Sequence, residues 1–271
     1  MRLLLPESPA HALALLAETP DAVPVAGGTD LLVHWPVRTA EHDRTYLDLS
    51  PLQDLRGMRW ENGALVLGAL ATYWDVIRDP RAEQELPLLV QAARQVGSVQ
   101  IQARGTWAGN IVNASPAADG VPVLMAYGAM VVLDSVRGRV ELPLADFYTD
   151  YKQMRRAADE LVVAIRIPRR AYALQRFVKV GSRRAQAIAK VGLAVTRSSI
   201  GWRVVAASMA PTIRRCPALE QLLADGADAR SPDDFLPAIA RDVTPIDDIR
   251  STAEYRRRVM ARALFDVVHS S

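Results

Sequence analysis

Residues 104–124 read RGTWAGNIVNASPAADGVPVL, a run dense in small and hydrogen-bonding residues where a globular chain would ordinarily build core. Gly105, Ala108, Gly109, Ala114 and Ser115 leave little bulk apart from Trp107. Small side chains let a backbone approach a ligand closely, and glycine admits backbone angles that other residues avoid. The stretch therefore predicts close approach by a partner, with a bound anion as one candidate. Within it Thr106 and Asn110 are side-chain donors, and amides near Gly109 are expected to be free. Ser115 and Pro116 open a turn, after which Asp119 heads an apolar helix ending at Gly128. Pro122 implies that this helix either starts later or is kinked. Asp119 has two readings: a helix cap, or a carboxylate that accepts both hydroxyls of a ribose.

A second small-residue loop lies upstream in VAGGTDLL, residues 25–32. A short strand over Val23 to Ala26 delivers Gly27 and Gly28 to a segment that Thr29 or Asp30 could cap, aligning amides where a phosphate could sit. The loop lacks the lysine of a phosphate loop and the third glycine of the dinucleotide fingerprint. Two such loops together suit a pyrophosphate.

Around them the pattern is α+β. Ser8 and Pro9 start a first helix, TYLDL and ALVLGAL read as strands, and Thr72 with Asp75 forms a capping box. ELPLLVQAARQVGS puts Leu86, Leu89, Val90, Ala93 and Val96 on one helical face with Gly97 as its stop. AMVVLDSVRGRVEL predicts a hairpin turning near Arg137 and Gly138, and ELVVAIRIP a strand ended by Pro168. The division expected is residues 1–168, with two subdomains meeting near 50–60, followed by residues 169–271. In the second part LQRFVKV, AIAKVGLAVTRS and WRVVAASM are strands, the last two a hairpin through Ser198 to Gly201. Helices are expected over Pro217 to Ala224, over Pro232 to Arg241, and after Ser251 or Thr252. In the last, Val259, Met260, Ala263, Leu264, Val267 and Val268 form an apolar stripe opposite a solvated face of Arg257, Arg258 and Arg262.

Composition narrows the function. Of 271 residues 33 are basic and 30 acidic, so the net charge of +3 gives no footprint for nucleic acid. Cys216 is the single cysteine and unaided can hold neither an iron-sulfur cluster nor a structural zinc. His11, His34, His42 and His269 show no paired metal-ligand spacing, so no metal is expected. The opening MRLLLPESPA is too short an apolar run for a signal peptide, and no segment has a charge-free membrane-spanning length, which predicts a soluble cytoplasmic protein.

Four segments in order, VAGGTDLLV, GTWAGNIVNASPAADGVPVL, FVKVGSRRAQAIAKV and DDIRSTAEYRRRV, resemble the motifs of the FAD-binding medium subunit of molybdenum hydroxylases, the xanthine dehydrogenase and carbon monoxide dehydrogenase type of enzyme. The resemblance spans nearly the whole chain. It implies an α+β fold: a two-subdomain FAD-binding domain, then a small α+β domain with an antiparallel sheet. It places the FAD pyrophosphate against Val25, Ala26, Gly27, Gly28, Thr29, Asp30, Leu31 and Leu32, and against Thr106, Gly109 and Asn110. Asp119 matches the aspartate after the NASPA segment, Leu161 and Lys179 match a leucine and a lysine near the flavin ring, and Arg183 with Arg184 matches a basic pair. A cation beside the ring would stabilise negative charge on reduced flavin.

The implied partners are a small subunit with two [2Fe-2S] clusters and a large subunit with the molybdenum cofactor. This chain would then pass electrons through FAD to an external acceptor such as NAD, oxygen or a quinone. Where the family usually has an aliphatic residue and a glycine, this chain has Trp107 and Ala108; Gln102, Met154 and the segment Ala185 to Ala187 also depart from its pattern. The competing readings are a free-standing flavoenzyme and a flavin-free scaffold that retains the fold.

Overall fold

The computed structural model describes residues 1–35, 43–184, 186–226 and 228–270. His42 and Ala185 lie outside the described residues. Strands β1 (Arg2–Leu4), β2 (Val23–Val25) and β3 (Thr45–Asp48) form a small parallel sheet with β3 in the centre. Helix α1 (Pro9–Glu18) crosses from β1 to β2, and its start is the expected one: Pro9 is in the first turn and the Ser8 side chain accepts the His11 N–H at 3.1 Å.

Next come β4 (Met58–Glu61), β5 (Ala64–Gly68) and six short helices: α2 (Tyr73–Ile77), α3 (Pro80–Glu85), α4 (Pro87–Gln95), α5 (Val99–Arg104), α6 (Trp107–Asn113) and α7 (Gly120–Ala126). Strands β6 (Met130–Ser135) and β7 (Gly138–Pro143), the ribbon β8 (Tyr148–Asp150) and β9 (Gln153–Met154), and β10 (Leu161–Pro168) follow. The larger sheet is antiparallel, in the order β4-β5-β10-β6-β7. The capping box at Thr72 and Asp75 is present, as is the hairpin turn before Gly138. Pro122 neither delays nor kinks α7. It occupies the first turn, where a helix has no use for its missing N–H.

Beyond Arg169, β11 (Tyr172–Val180), β12 (Val191–Ser198), β13 (Gly201–Ala207) and β14 (Arg214–Arg215) make a four-stranded antiparallel sheet in chain order. Helices α8 (Pro217–Ala224), α9 (Leu236–Asp242) and α10 (Ala253–His269) cover one of its faces. Side chains alternate across a strand. Leu193 and Val195 of β12 and Val204 and Ala206 of β13 thus join the core under these helices, whereas Ala194, Val205 and Ala207 join the core built around the larger sheet. That double burial presses the second sheet onto α7. No helix among the described residues is long and apolar enough to cross a membrane.

The arginine run in α10 divides differently from the expected wet face. Arg257 is half-buried and Arg258 and Arg262 are exposed, but Arg256 is buried. Its guanidinium donates to the carbonyls of Lys190 at 2.9 Å and Ser208 at 2.8 Å and to Asp248 at 2.7 Å. The DDIRSTAEYRRRV segment is therefore a clamp between α10, the loop before it and the ends of two strands. Arg256→Ala would leave both carbonyls without their donor and take from Asp248 one of its two cations, Arg250 being the other, and should cost about 3 kcal/mol in a urea titration. A loss below about 1 kcal/mol, the range of surface ion pairs, would contradict the clamp.

Candidate functional site

The two small-residue segments lie directly against each other, although the second is not the loop expected: apart from Gly105 and Thr106 it forms the end of α5 and the whole of α6, which Thr106 caps. Strand β2 ends at Val25 and delivers Ala26 to Asp30, in which Gly28 takes a positive φ of 70°. Gly27 faces Arg104: a methyl built on Gly27 would stand 1.8 Å from the Arg104 carbonyl oxygen. Gly105 is hemmed in by the Ile101 carbonyl, the Tyr73 ring and the Thr29 hydroxyl. Leu31 and Leu32 enter a 3-10 turn, Leu31–His34, in which the Val33 N–H bonds the Asp30 carbonyl at 3.2 Å, and the Leu32 N–H ties it back to the Gly28 carbonyl at 3.0 Å. Asp30 precedes that turn without capping it, and its carboxylate instead accepts from the Asn113 side chain at 3.0 Å.

Thr106 caps α6, its hydroxyl oxygen accepting the Gly109 N–H at 3.0 Å. This corrects the expectation of a free amide at Gly109, because a threonine at the N-cap uses the amide three residues on. The Thr106 hydroxyl hydrogen remains a donor. Among the described residues, the N–H groups of Gly27, Gly28, Thr29, Asp30 and Ala108 donate to nothing in the chain. The Asn110 Oδ1 is buried and also lacks a partner.

Trp107 does not look into this site. It is fully buried, its ring 4.9 Å from that of Tyr73, and it presses on Gly120, where a methyl would stand 3.0 Å away. Gln102 is likewise structural, since its side-chain amide donates to the Arg94 and Val96 carbonyls and closes the end of α4.

Asp119 sits at the N-cap position of α7 with no capping hydrogen bond, so the capping reading fails. Its carboxylate meets the ammonium of Lys179 at 2.6 Å, and Lys179 also donates to the Gln95 carbonyl at 3.1 Å. The pair joins α7 to β11 with only 14% and 7% of the two side chains exposed. The two residues, expected at separate partners, ribose and ring, meet each other in the structure. Leu161 is buried at the start of β10 on the larger sheet, opposite Asp134, whereas Lys179 is on the smaller one. Arg183 follows β11 and donates to the Gln186 carbonyl at 2.7 Å.

Burial pushes the Asp119 carboxyl up to about 6, with the Lys179 charge pulling against it. A carboxyl whose folded value exceeds its unfolded value binds more protons when folded, so it makes stability fall as pH rises between about 4 and 6. In flavin-free protein, Asp119→Asn should flatten the stability-pH curve in that window, by up to about 3 kcal/mol for a shift of about two units. Parallel curves for parent and variant would show that Asp119 titrates normally.

Open amides on the Gly27–Asp30 loop and at the start of α6, beside a recessed carboxylate-ammonium pair, suit a dinucleotide with a pyrophosphate bridge. Fold and site are those of an α+β protein able to take a dinucleotide. The chain belongs to the FAD-binding family of the molybdopterin dehydrogenases: the model for the FAD binding domain in molybdopterin dehydrogenase matches residues 1–170, and that for the CO dehydrogenase flavoprotein C-terminal domain matches residues 176–271. It is accordingly a flavoprotein of oxidoreductase type.

Among its relatives is the nicotinate dehydrogenase FAD-subunit of Eubacterium barkeri, 35% identical over 69% of this chain and 65% of that protein. The putative xanthine dehydrogenase FAD-binding subunit of Escherichia coli K12 is 30% identical over 91% of this chain and 87% of its own length. In the solved carbon monoxide dehydrogenase of Hydrogenophaga pseudoflava, a 29% identical chain superposes with a TM-score of 0.88 over 99% of this chain and 96% of that one.

Proposed function

We propose that this chain is the electron-transfer subunit of a molybdenum hydroxylase complex. It would receive electrons from the [2Fe-2S] clusters of a small subunit, while substrate is oxidised on a large subunit holding the molybdenum cofactor, and deliver them to NAD, oxygen or a quinone. The observation that carries the reading is the seating of Gly27 on the Arg104 carbonyl, which sets the open amides of Gly27 to Asp30 beside the segment that begins α6, where the Ala108 N–H is open. Bound FAD supplies redox chemistry that no side chain of this protein offers.

The chain's own residues hold the cofactor. Amides from Gly27 to Asp30, the Ala108 N–H and the Thr106 hydroxyl would donate to the pyrophosphate, with Val25, Ala26, Leu31, Leu32 and Gly109 forming the walls. Asp119 would hold the adjoining ribose, with Asn110 also in reach, and Leu161 and Lys179 would lie near the ring. In this reading residues 1–168 form the flavin domain, residues 169–271 bring Lys179 to it, and the protein works in the cytoplasm.

The test is to assay this chain, loaded with FAD, against the complex assembled with its iron-sulfur and molybdenum subunits. The chain alone should oxidise none of the complex's substrate, and the complex should reduce its flavin only after its iron-sulfur clusters. Substrate oxidation by the isolated chain at the rate of the complex would favour a free-standing flavoenzyme instead.

A further inference from the structure

At the end of α7 opposite Asp119, donors converge on Gly128. This glycine takes a positive φ of 72° as the chain leaves the helix. A methyl built there would stand 3.4 Å from Arg170 Nη1 and 3.9 Å from Arg203 Nη2, so two guanidinium groups address the same point. Both arginines are half-buried, as is Tyr172 between them in the chain. The Arg203 Nε is buried without a hydrogen-bond partner, and the Tyr172 hydroxyl is buried beside the Arg170 guanidinium.

The electrostatics are equally unsatisfied. Burial, and then the charge of Arg215, hold Arg203 below the usual guanidinium range. Glu220 is the carboxylate that opposes this, but it is already engaged, accepting from Arg215 Nε at 2.9 Å and the Val204 N–H at 3.0 Å. Two partly buried guanidinium groups that face one point repel each other, and a bound anion relieves that repulsion. Burial also raises the Tyr172 hydroxyl, which keeps it a donor, with Arg170 and Arg203 pulling against that rise.

We propose that Arg170, Tyr172 and Arg203 form a binding site for a phosphate group at the junction of the two sheets. Guanidinium forks match phosphate oxygens in pairs, and a tyrosine hydroxyl supplies a further donor. The three residues come from the segment entering β11 and from β13, and Gly128 from the end of α7, so a bound phosphate ties the two halves of the molecule together.

The site takes either inorganic phosphate or the phosphate of a mononucleotide, and both are probed on FAD-loaded protein so that the flavin loops are already filled. Thermal unfolding is followed in sodium chloride, sodium phosphate and UMP at matched ionic strength. Phosphate at about ten times its Kd should raise Tm by about 3 °C over chloride. An equal rise from far less UMP assigns the site to a nucleotide, and a rise from phosphate alone assigns it to the free ion. Arg170→Gln, at a half-buried position in the connecting segment, and Arg203→Met should each abolish the rise, and the first suffices should the second fail to fold. No rise with either probe, or a rise that survives Arg170→Gln, overturns the proposal.

Discussion

Gly27→Ala is expected to weaken FAD binding more than a hundredfold, which corresponds to about 2.8 kcal/mol or more. The added methyl would stand 1.8 Å from the Arg104 carbonyl oxygen and 2.6 Å from its carbon. That backbone is not free to retreat, because the Gly105 N–H is bonded to the Ile101 carbonyl, and the Tyr73 and Trp107 N–H groups bond the Gly105 and Ala71 carbonyls. The loops must therefore part, and amides that converge would no longer do so. Gly28→Ala is the matched control. Gly28 has a positive φ but no protein atom within 4 Å of an added methyl, so that variant should leave the two segments seated, lose about 1 kcal/mol of stability and weaken flavin binding less than Gly27→Ala does. Flavin titrations by fluorescence compare the two; equal affinities would show that the fit between the loops does not build the site.

Lys179→Met is expected to destabilise flavin-free protein by about 3 kcal/mol. It leaves the Asp119 carboxylate recessed without its cation and removes a donor from the Gln95 carbonyl. The loss should grow as pH rises above about 6, where Asp119 is ionised. Asp119→Asn in the same chain should recover most of it, since a neutral amide has no charge to leave unpaired. Urea titrations of parent, both single variants and the double variant measure the coupling directly. A coupling energy near zero would mean that the pair contributes nothing to holding β11 against α7. In FAD-loaded protein the same substitution should lower the flavin midpoint potential, because a cation favouring the reduced ring is gone.

Much of the fold is legible in local sequence because local chemistry decides it. Ser8 with Pro9, the Thr72 capping box and Thr252 mark helix starts, and the β12 and β13 hairpin is written in its alternating residues and Gly201. Strand β4 and helix α3 escape for the opposite reason. Residues 58–61 alternate over only four positions, and PRAEQE has no apolar stripe to give it a period. In the arginine run of α10, Arg256 differs from its neighbours only in register: it lies one turn before buried Met260, a spacing that would have singled it out.

The site is legible in residue type but not in pairing. Gly27 and Arg104, like Asp119 and Lys179, are far apart in the chain, and no periodicity links them. The small residues do mark close approach, yet at Gly27, Gly105 and Gly120 the approaching atoms belong to the protein itself. Those contacts are what set the open amides side by side.

The most direct test of the account is the flavin content of the protein purified with its partner subunits. Acid or heat should release close to one FAD per chain, intact and without a covalent link, as identified by mass spectrometry and quantified by absorbance. Recovery of FMN, or of no flavin from a well-folded complex, would contradict the assignment of the two glycine loops to a pyrophosphate.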